Sequence, residues 1–137
     1  MPLDFPLPIN DQRIIEKTDF DVLNAISFVG LGPDPIQNSI VSSATPVINT
    51  DATDFFTITT LGTAITGVTI TGKAPGRKLI IRIKDDGTAR GITWGSSFAS
   101  RGATLPTTTV LGKYMYCGFI YNEVDGVWDL VALSKEA

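Results

Sequence analysis

Residues 77–98 read RKLIIRIKDDGTARGITWGSSF, and the reading of this stretch decides the fold. Leu79, Ile81 and Ile83 alternate with Ile80, Arg82 and Lys84, the two-residue period of a strand whose faces differ. Asp85-Asp86-Gly87 ends the run. Asp-Gly at a reversal supplies positive φ angles, because glycine has no Cβ to clash. Arg90, Ile92 and Trp94 then alternate with Gly91 and Thr93. The spacing predicts one β-hairpin with Leu79, Ile81, Ile83, Ile92 and Trp94 on a shared inner face. Such a hairpin belongs at the centre of an all-β domain, an antiparallel β-sandwich or jelly roll.

The flanking sequence has the same texture. ATPVINT (44–50) predicts a strand through Val47 and Ile48. DFFTITTL (54–61) predicts a second, with Phe56 and Ile58 inward and Thr57 and Thr59 outward. GTAITGVTITG (62–72) holds two short Ile/Val/Thr runs split by Gly67. Residues 95–113 are rich in Gly, Ser and Thr around Pro106, and read as a surface loop with one short strand near 108–111. KYMYCGFIYN (113–122) is apolar on both faces, which suits a central strand or one with a face against a partner. VWDLVALS (127–134) closes the chain, with Trp128, Leu130 and Ala132 in one row. About seven or eight short strands with regular turns point to a sandwich or jelly roll.

Composition bounds the function. A chain of 137 residues with 43% hydrophobic content fits one domain with a core. A net charge of −3 argues against nucleic acid, whose phosphates call for a basic face. There is no histidine, which removes the commonest general base and zinc ligand. The single Cys117 cannot form an intrachain disulfide, and its apolar strand gives no basic neighbour to activate it. No apolar run reaches membrane-spanning length, and the first ten residues lack the basic start of a secretory signal, so synthesis in a cytoplasm is expected.

Catalytic candidates are weak. Asp85-Asp86-Gly87 lacks the alternating acids and closing Glu of a calcium loop. Asp51, Asp54, Glu123 and Asp125 fall in expected turns, whereas sugar hydrolysis needs two carboxylates facing across a cleft. Gly30-Leu31-Gly32 lacks the spacing of a phosphate-binding loop. No catalytic residue, cofactor or metal ligand is assigned. Trp94, Trp128, Tyr114, Tyr116 and Tyr121 suit either a sugar-stacking face or core and interface.

Residues 1–43 differ from the rest. Pro2, Pro6, Pro8, Pro33 and Pro35 disfavour helix interiors and central strands. Leu3, Phe5, Leu7 and Ile9 alternate with prolines and Asp4, as in an extended arm with one apolar edge. Residues 18–26 suit a short helix or another strand. The arm either packs on its own domain or fastens to a neighbouring subunit through Leu3, Phe5, Leu7, Ile9, Ile14 and Ile15. The expected organisation is an arm over 1–43 and a β-domain over 44–137.

The runs KLIIRIKDDGTARGITWGSSF and LPTTTVLGKYMYCGFIYN, the closing WDLVAL, and ATPVINTDATDFFTITTLGTAIT upstream together resemble a module of tailed-bacteriophage virion proteins. The resemblance spans about residues 44–137. It implies a structural protein without catalytic residues, used alone or as a segment of a tail fibre or other appendage. A short chain with an arm suits a capsid decoration (cement) protein: a homotrimer bound to the major capsid protein on the virion surface, assembled in the host cytoplasm. The alternatives are a tail-fibre or baseplate component, or a carbohydrate-binding module.

Overall fold

The computed structural model describes residues 34–72 and 75–137. Pro35–Ala137 form one unit, the β-domain. Its strands are β1 (Gln37–Ile40), β2 (Val47–Asn49), β3 (Phe55–Leu61), β4 (Thr69–Thr71), β5 (Lys78–Asp85), β6 (Phe98–Ser100), β7 (Tyr114–Asn122) and β8 (Val127–Lys135). Six of them form one sheet in the order β1-β3-β5-β7-β8-β6, and β2 and β4 form a second. The domain is therefore all-β with two sheets. Residues 37–40, expected within the arm, form the edge strand β1.

The antiparallel order expected from the sequence is corrected. β5/β7 and β7/β8 are antiparallel, but β1/β3, β3/β5, β6/β8 and β2/β4 are parallel. The central hairpin is also absent. Both edges of β5 are occupied, by β3 and by β7, so no ladder position is left for residues 90–94. That segment leaves the sheet and lies beside residue 65 instead. Ile65 N–H donates to the Gly91 carbonyl at 2.9 Å and Thr93 N–H to the Ile65 carbonyl at 2.8 Å. Ile92 and Trp94 are nonetheless buried with Leu79, Ile81 and Ile83, so the inner-face grouping holds while the pairing does not.

One face of the six-stranded sheet carries the core. Phe56, Ile58, Leu79, Ile81, Ile83, Met115, Cys117, Phe119, Trp128 and Leu130 are buried there. Pro46, Ile48, Ile65, Val68 and Trp94 meet Phe56, Ile58, Ile81 and Ile83 along an apolar seam too narrow for water. β2 and its neighbouring segments thus cover the inner face. Trp94, Phe98 and Phe119 pack as a triad with ring centroids 5.1–5.4 Å apart, the tilted geometry that aromatic quadrupoles prefer.

Asp85 sits at the end of the inner row of β5 and is 3% exposed, not a solvated turn residue. Its Oδ1 accepts from Gly87 N–H at 3.0 Å and Gly112 N–H at 2.8 Å, and its Oδ2 accepts from the Thr109 hydroxyl at 2.7 Å. Asp-Asp-Gly does turn the chain, with Gly87 at φ 96°. The carboxylate also pins the return of the long excursion over 86–113. Within that excursion, Trp94 Nε1–H donates to the Pro106 carbonyl and Ile92 N–H to the Thr107 carbonyl, both at 2.8 Å. The expected strand near 108–111 is reduced to one antiparallel bridge, Gly91 to Thr108.

A bulge alters β8. The β7/β8 register shifts between Gly118 and Phe119, leaving Val131 unpaired. Trp128 and Leu130 face inward as expected, but Ala132 is exposed and Leu133 packs against the core instead. At the bulge the Leu130 carbonyl receives the N–H groups of Arg101, Gly102 and Ala103 at 3.0–3.3 Å. A Cβ on Gly102 would lie 2.7 Å from the Val131 carbonyl oxygen, so only glycine permits this approach.

Candidate binding surface on the outer sheet face

The second face of the six-stranded sheet is not covered by β2 and β4. Cross-strand pairing aligns Ser39, Thr57, Arg82, Tyr116 and Ser134 in one row across β1, β3, β5, β7 and β8. The adjacent row runs through Gln37, Phe55, Ile80, Gly118 and Ala132. Lys84 pairs with Tyr114 on the other flank. Ile80 and Tyr116 are 41% and 37% exposed.

Arg82 is the centre of this face. Its guanidinium carbon lies 5.0 Å from the Phe55 ring centroid, 4.9 Å from that of Tyr114 and 5.7 Å from that of Tyr116. A guanidinium at this distance is attracted by the electron-rich ring faces. Nη1 donates to the Tyr116 hydroxyl at 3.4 Å, while the buried Nε has no hydrogen-bond partner among the described residues. Lys84 Nζ stands 5.1 Å from the Tyr114 ring centroid. Beside Arg82, residues Gln37, Asn38, Ser39, Thr57 and Thr59 line an open recess of about 470 Å³.

The other described arginines face carboxylates. Arg77 is 4.0 Å from Asp51, Arg90 is 2.6 Å from Asp86, and Arg101 is 2.6 Å from Asp125 and 3.0 Å from Asp129. The Arg90 side chain holds the Asp86 carboxyl below its ordinary range. Arg82 thus differs from the other three in having no carboxylate beside it among the described residues.

The arm residues Leu3, Phe5, Leu7, Ile9, Ile14 and Ile15, and the 18–26 segment, lie outside the described residues. The acids considered for catalysis are spread over turns. Asp54 caps the entry to β1 by accepting from Ile36 N–H at 2.8 Å, and Asp125 is tied to Arg101. Asp85, weighed as part of a calcium loop, has its oxygens taken by protein donors. Among the described residues no group of three or more His, Cys, Asp or Glu is placed to hold a metal ion. No helix among them is long and apolar enough to cross a membrane.

Trp94 and Trp128 are core residues at 5% and 0% exposure, so neither offers a ring to a sugar. Tyr121 packs on Trp128 at 5.2 Å. Tyr114 and Tyr116 remain on the outer face. In the sequence Arg82 is one of the outward residues of β5, and that place gains meaning only once β7 supplies the tyrosines opposite.

Cys117 is fully buried, and burial pushes its thiol up to about 12, against a smaller opposing pull from Lys135. Since the thiolate is the reactive form, the native thiol is expected to resist a thiol-specific disulfide reagent at pH 8. One equivalent should react only in denaturant. Fast labelling of the native protein would show that β7 opens.

No family model matches the chain, and neither the curated proteins nor the solved structures contain a match to it.

Proposed function

We propose that this chain is a non-catalytic structural protein of a tailed-bacteriophage virion, a capsid decoration protein that bridges capsomers as a homotrimer. In this reading the two sheets are the layers of a β-sandwich. The observation that carries the reading is the state of the sheet edge at β1. β1 has β3 on one side and no strand on the other among the described residues. Ile36 and Val41, which flank it, are 49% and 67% exposed, and Val47 of β2 is 63% exposed. An open edge with apolar flanks can accept a further strand from another protein, whose main chain supplies the hydrogen bonds.

Joining three such domains makes the second and third contacts with the shell intramolecular, which raises occupancy without any new contact. The partner is the major capsid protein, and Leu3, Phe5, Leu7, Ile9, Ile14 and Ile15 are the fastening residues. The protein would act on the capsid surface after assembly in the host cytoplasm.

Deleting residues 2–15 is expected to leave the thermal transition of the β-domain unchanged and to abolish co-sedimentation with empty capsids. Undiminished occupancy by the shortened chain would remove the fastening role. Binding to purified tails in place of capsids would support an appendage role instead.

A further inference from the structure

We infer that the outer face of the six-stranded sheet holds a binding site for an acidic sugar, with Arg82 receiving the carboxylate and the recess beside it receiving the sugar hydroxyls. The inference goes beyond the shell-docking role and does not depend on it: Gln37, Asn38 and Ser39 of β1 line the recess, but the site uses the face of the sheet and not the free backbone edge of β1, and its test needs no capsid.

An arginine half-buried in an aromatic surface costs desolvation free energy, which a carboxylate normally offsets. Arg77, Arg90 and Arg101 each have that carboxylate within the domain. Arg82 does not, and among the described residues its ring neighbours and one long bond to Tyr116 leave most of its planar donor fork unused. A fork of this kind matches the two oxygens of a carboxylate.

The surroundings narrow the ligand further. The recess beside Arg82 is lined by Gln37, Asn38, Ser39, Thr57 and Thr59. The Asn38 amide N–H is given to the Ala52 carbonyl and the Thr53 hydroxyl, the Thr59 hydroxyl donates to the Ile40 carbonyl, and Thr57 is buried, which leaves Gln37 and Ser39 as the exposed polar side chains without a bond among the described residues. Such groups both donate and accept, which suits a polyhydroxylated ring rather than an acyl chain or an apolar side chain. Its volume of about 470 Å³ fits one or two sugar rings. Tyr116, 37% exposed next to Arg82, offers the apolar edge on which a sugar ring rests. A nucleic-acid strand is disfavoured, because the face carries too few cations to follow a phosphate backbone.

The test is a titration of the isotopically labelled full chain, followed by backbone amide shifts. The probes are trigalacturonate, 3′-sialyllactose, neutral maltotriose and a triglutamate peptide. At least one of the two acidic sugars is expected to move the amides of Ser39, Thr57, Arg82 and Tyr116, while maltotriose and triglutamate leave them in place. Arg82→Gln should weaken that binding about tenfold or more, and Arg82→Lys several-fold, with both variants unfolding at the wild-type midpoint. Failure of both acidic sugars to move these amides would overturn the inference. So would equal binding to folded Arg82→Gln. An equal response to triglutamate would also overturn it, showing a face that reads negative charge on a polypeptide.

Discussion

Replacing Trp94 by alanine is expected to lower the unfolding free energy by about 3–5 kcal/mol, the usual range for truncating a large buried aromatic. Trp94 is 5% exposed and touches the rings of Phe98 and Phe119 at 5.2 and 5.4 Å. Removing it leaves a void between the two layers where the seam admits no water. The substitution also strips the buried donor from the Pro106 carbonyl, which adds about 1 kcal/mol. Domains of this size have a total stability of about 5–15 kcal/mol, so the variant should be partly unfolded at moderate temperature. Urea unfolding followed by far-ultraviolet circular dichroism measures the change. Trp94→Phe keeps most of the volume and loses the N–H, and should cost about 1–2 kcal/mol. If alanine and phenylalanine cost the same, the hydrogen bond outweighs the packing and the layered core described above is wrong. A loss of sugar binding in Trp94→Ala would report unfolding, not a lost contact, which is why Arg82 is the residue to change.

The second large effect belongs to Asp85. Asp85→Ala would leave the Thr109 hydroxyl and the Gly87 and Gly112 N–H groups without their acceptor. An unsatisfied buried donor costs about 1–3 kcal/mol, and relaxation should bring the sum to about 3 kcal/mol. The loss should be read in the 86–113 excursion first, as faster amide exchange at Gly112 than in β7. The pH dependence has a definite sign. Burial raises the Asp85 pKa, but the bonds from Thr109, Gly112 and Gly87 outweigh it, even with Asp86 nearby, and the carboxyl lies below its ordinary 3.8. A carboxyl depressed in the folded state stabilises above its unfolded pKa and loses that contribution as pH falls through the folded one. The stability gap between wild type and Asp85→Asn should therefore be constant from pH 5 to 7 and narrow below about pH 4. A gap that widens on acidification would show that Asp85 is held protonated.

These two residues also show where sequence suffices. Individual strands are legible, because Phe56/Ile58, Leu79/Ile81/Ile83 and Met115/Cys117/Phe119 keep the period of two, and each set is buried. Their partners are not. A hairpin is a local prediction from a turn, and Asp85-Asp86-Gly87 supplies a turn. Parallel pairing of β3 with β5 leaves no local mark, since the ladder joins residues 25 positions apart, Phe55 to Ile80. The alternation therefore gives Trp94 its correct face, while the local turn assigns it to the wrong strand.

The β8 row fails for a different reason. The bulge at Val131 shifts the alternation by one residue, so Ala132 turns outward and Leu133 inward. The strand VWDLVALS reads as strictly alternating because a bulge here depends on the Gly102 approach from another part of the chain. The candidate site was illegible on similar grounds. Arg82 reads as an ordinary solvated cation until β7 sets Tyr114 and Tyr116 beside it and β3 contributes Phe55.

The central claim is that the chain works by adhering to a protein shell in which it is a regular component. Its stoichiometry in purified virions, from quantitative mass spectrometry against the major capsid protein, tests this most directly. The account predicts a copy number in fixed, near-stoichiometric proportion to the shell protein. A chain missing from the particles, or present only in the proportion of tail proteins, would contradict it.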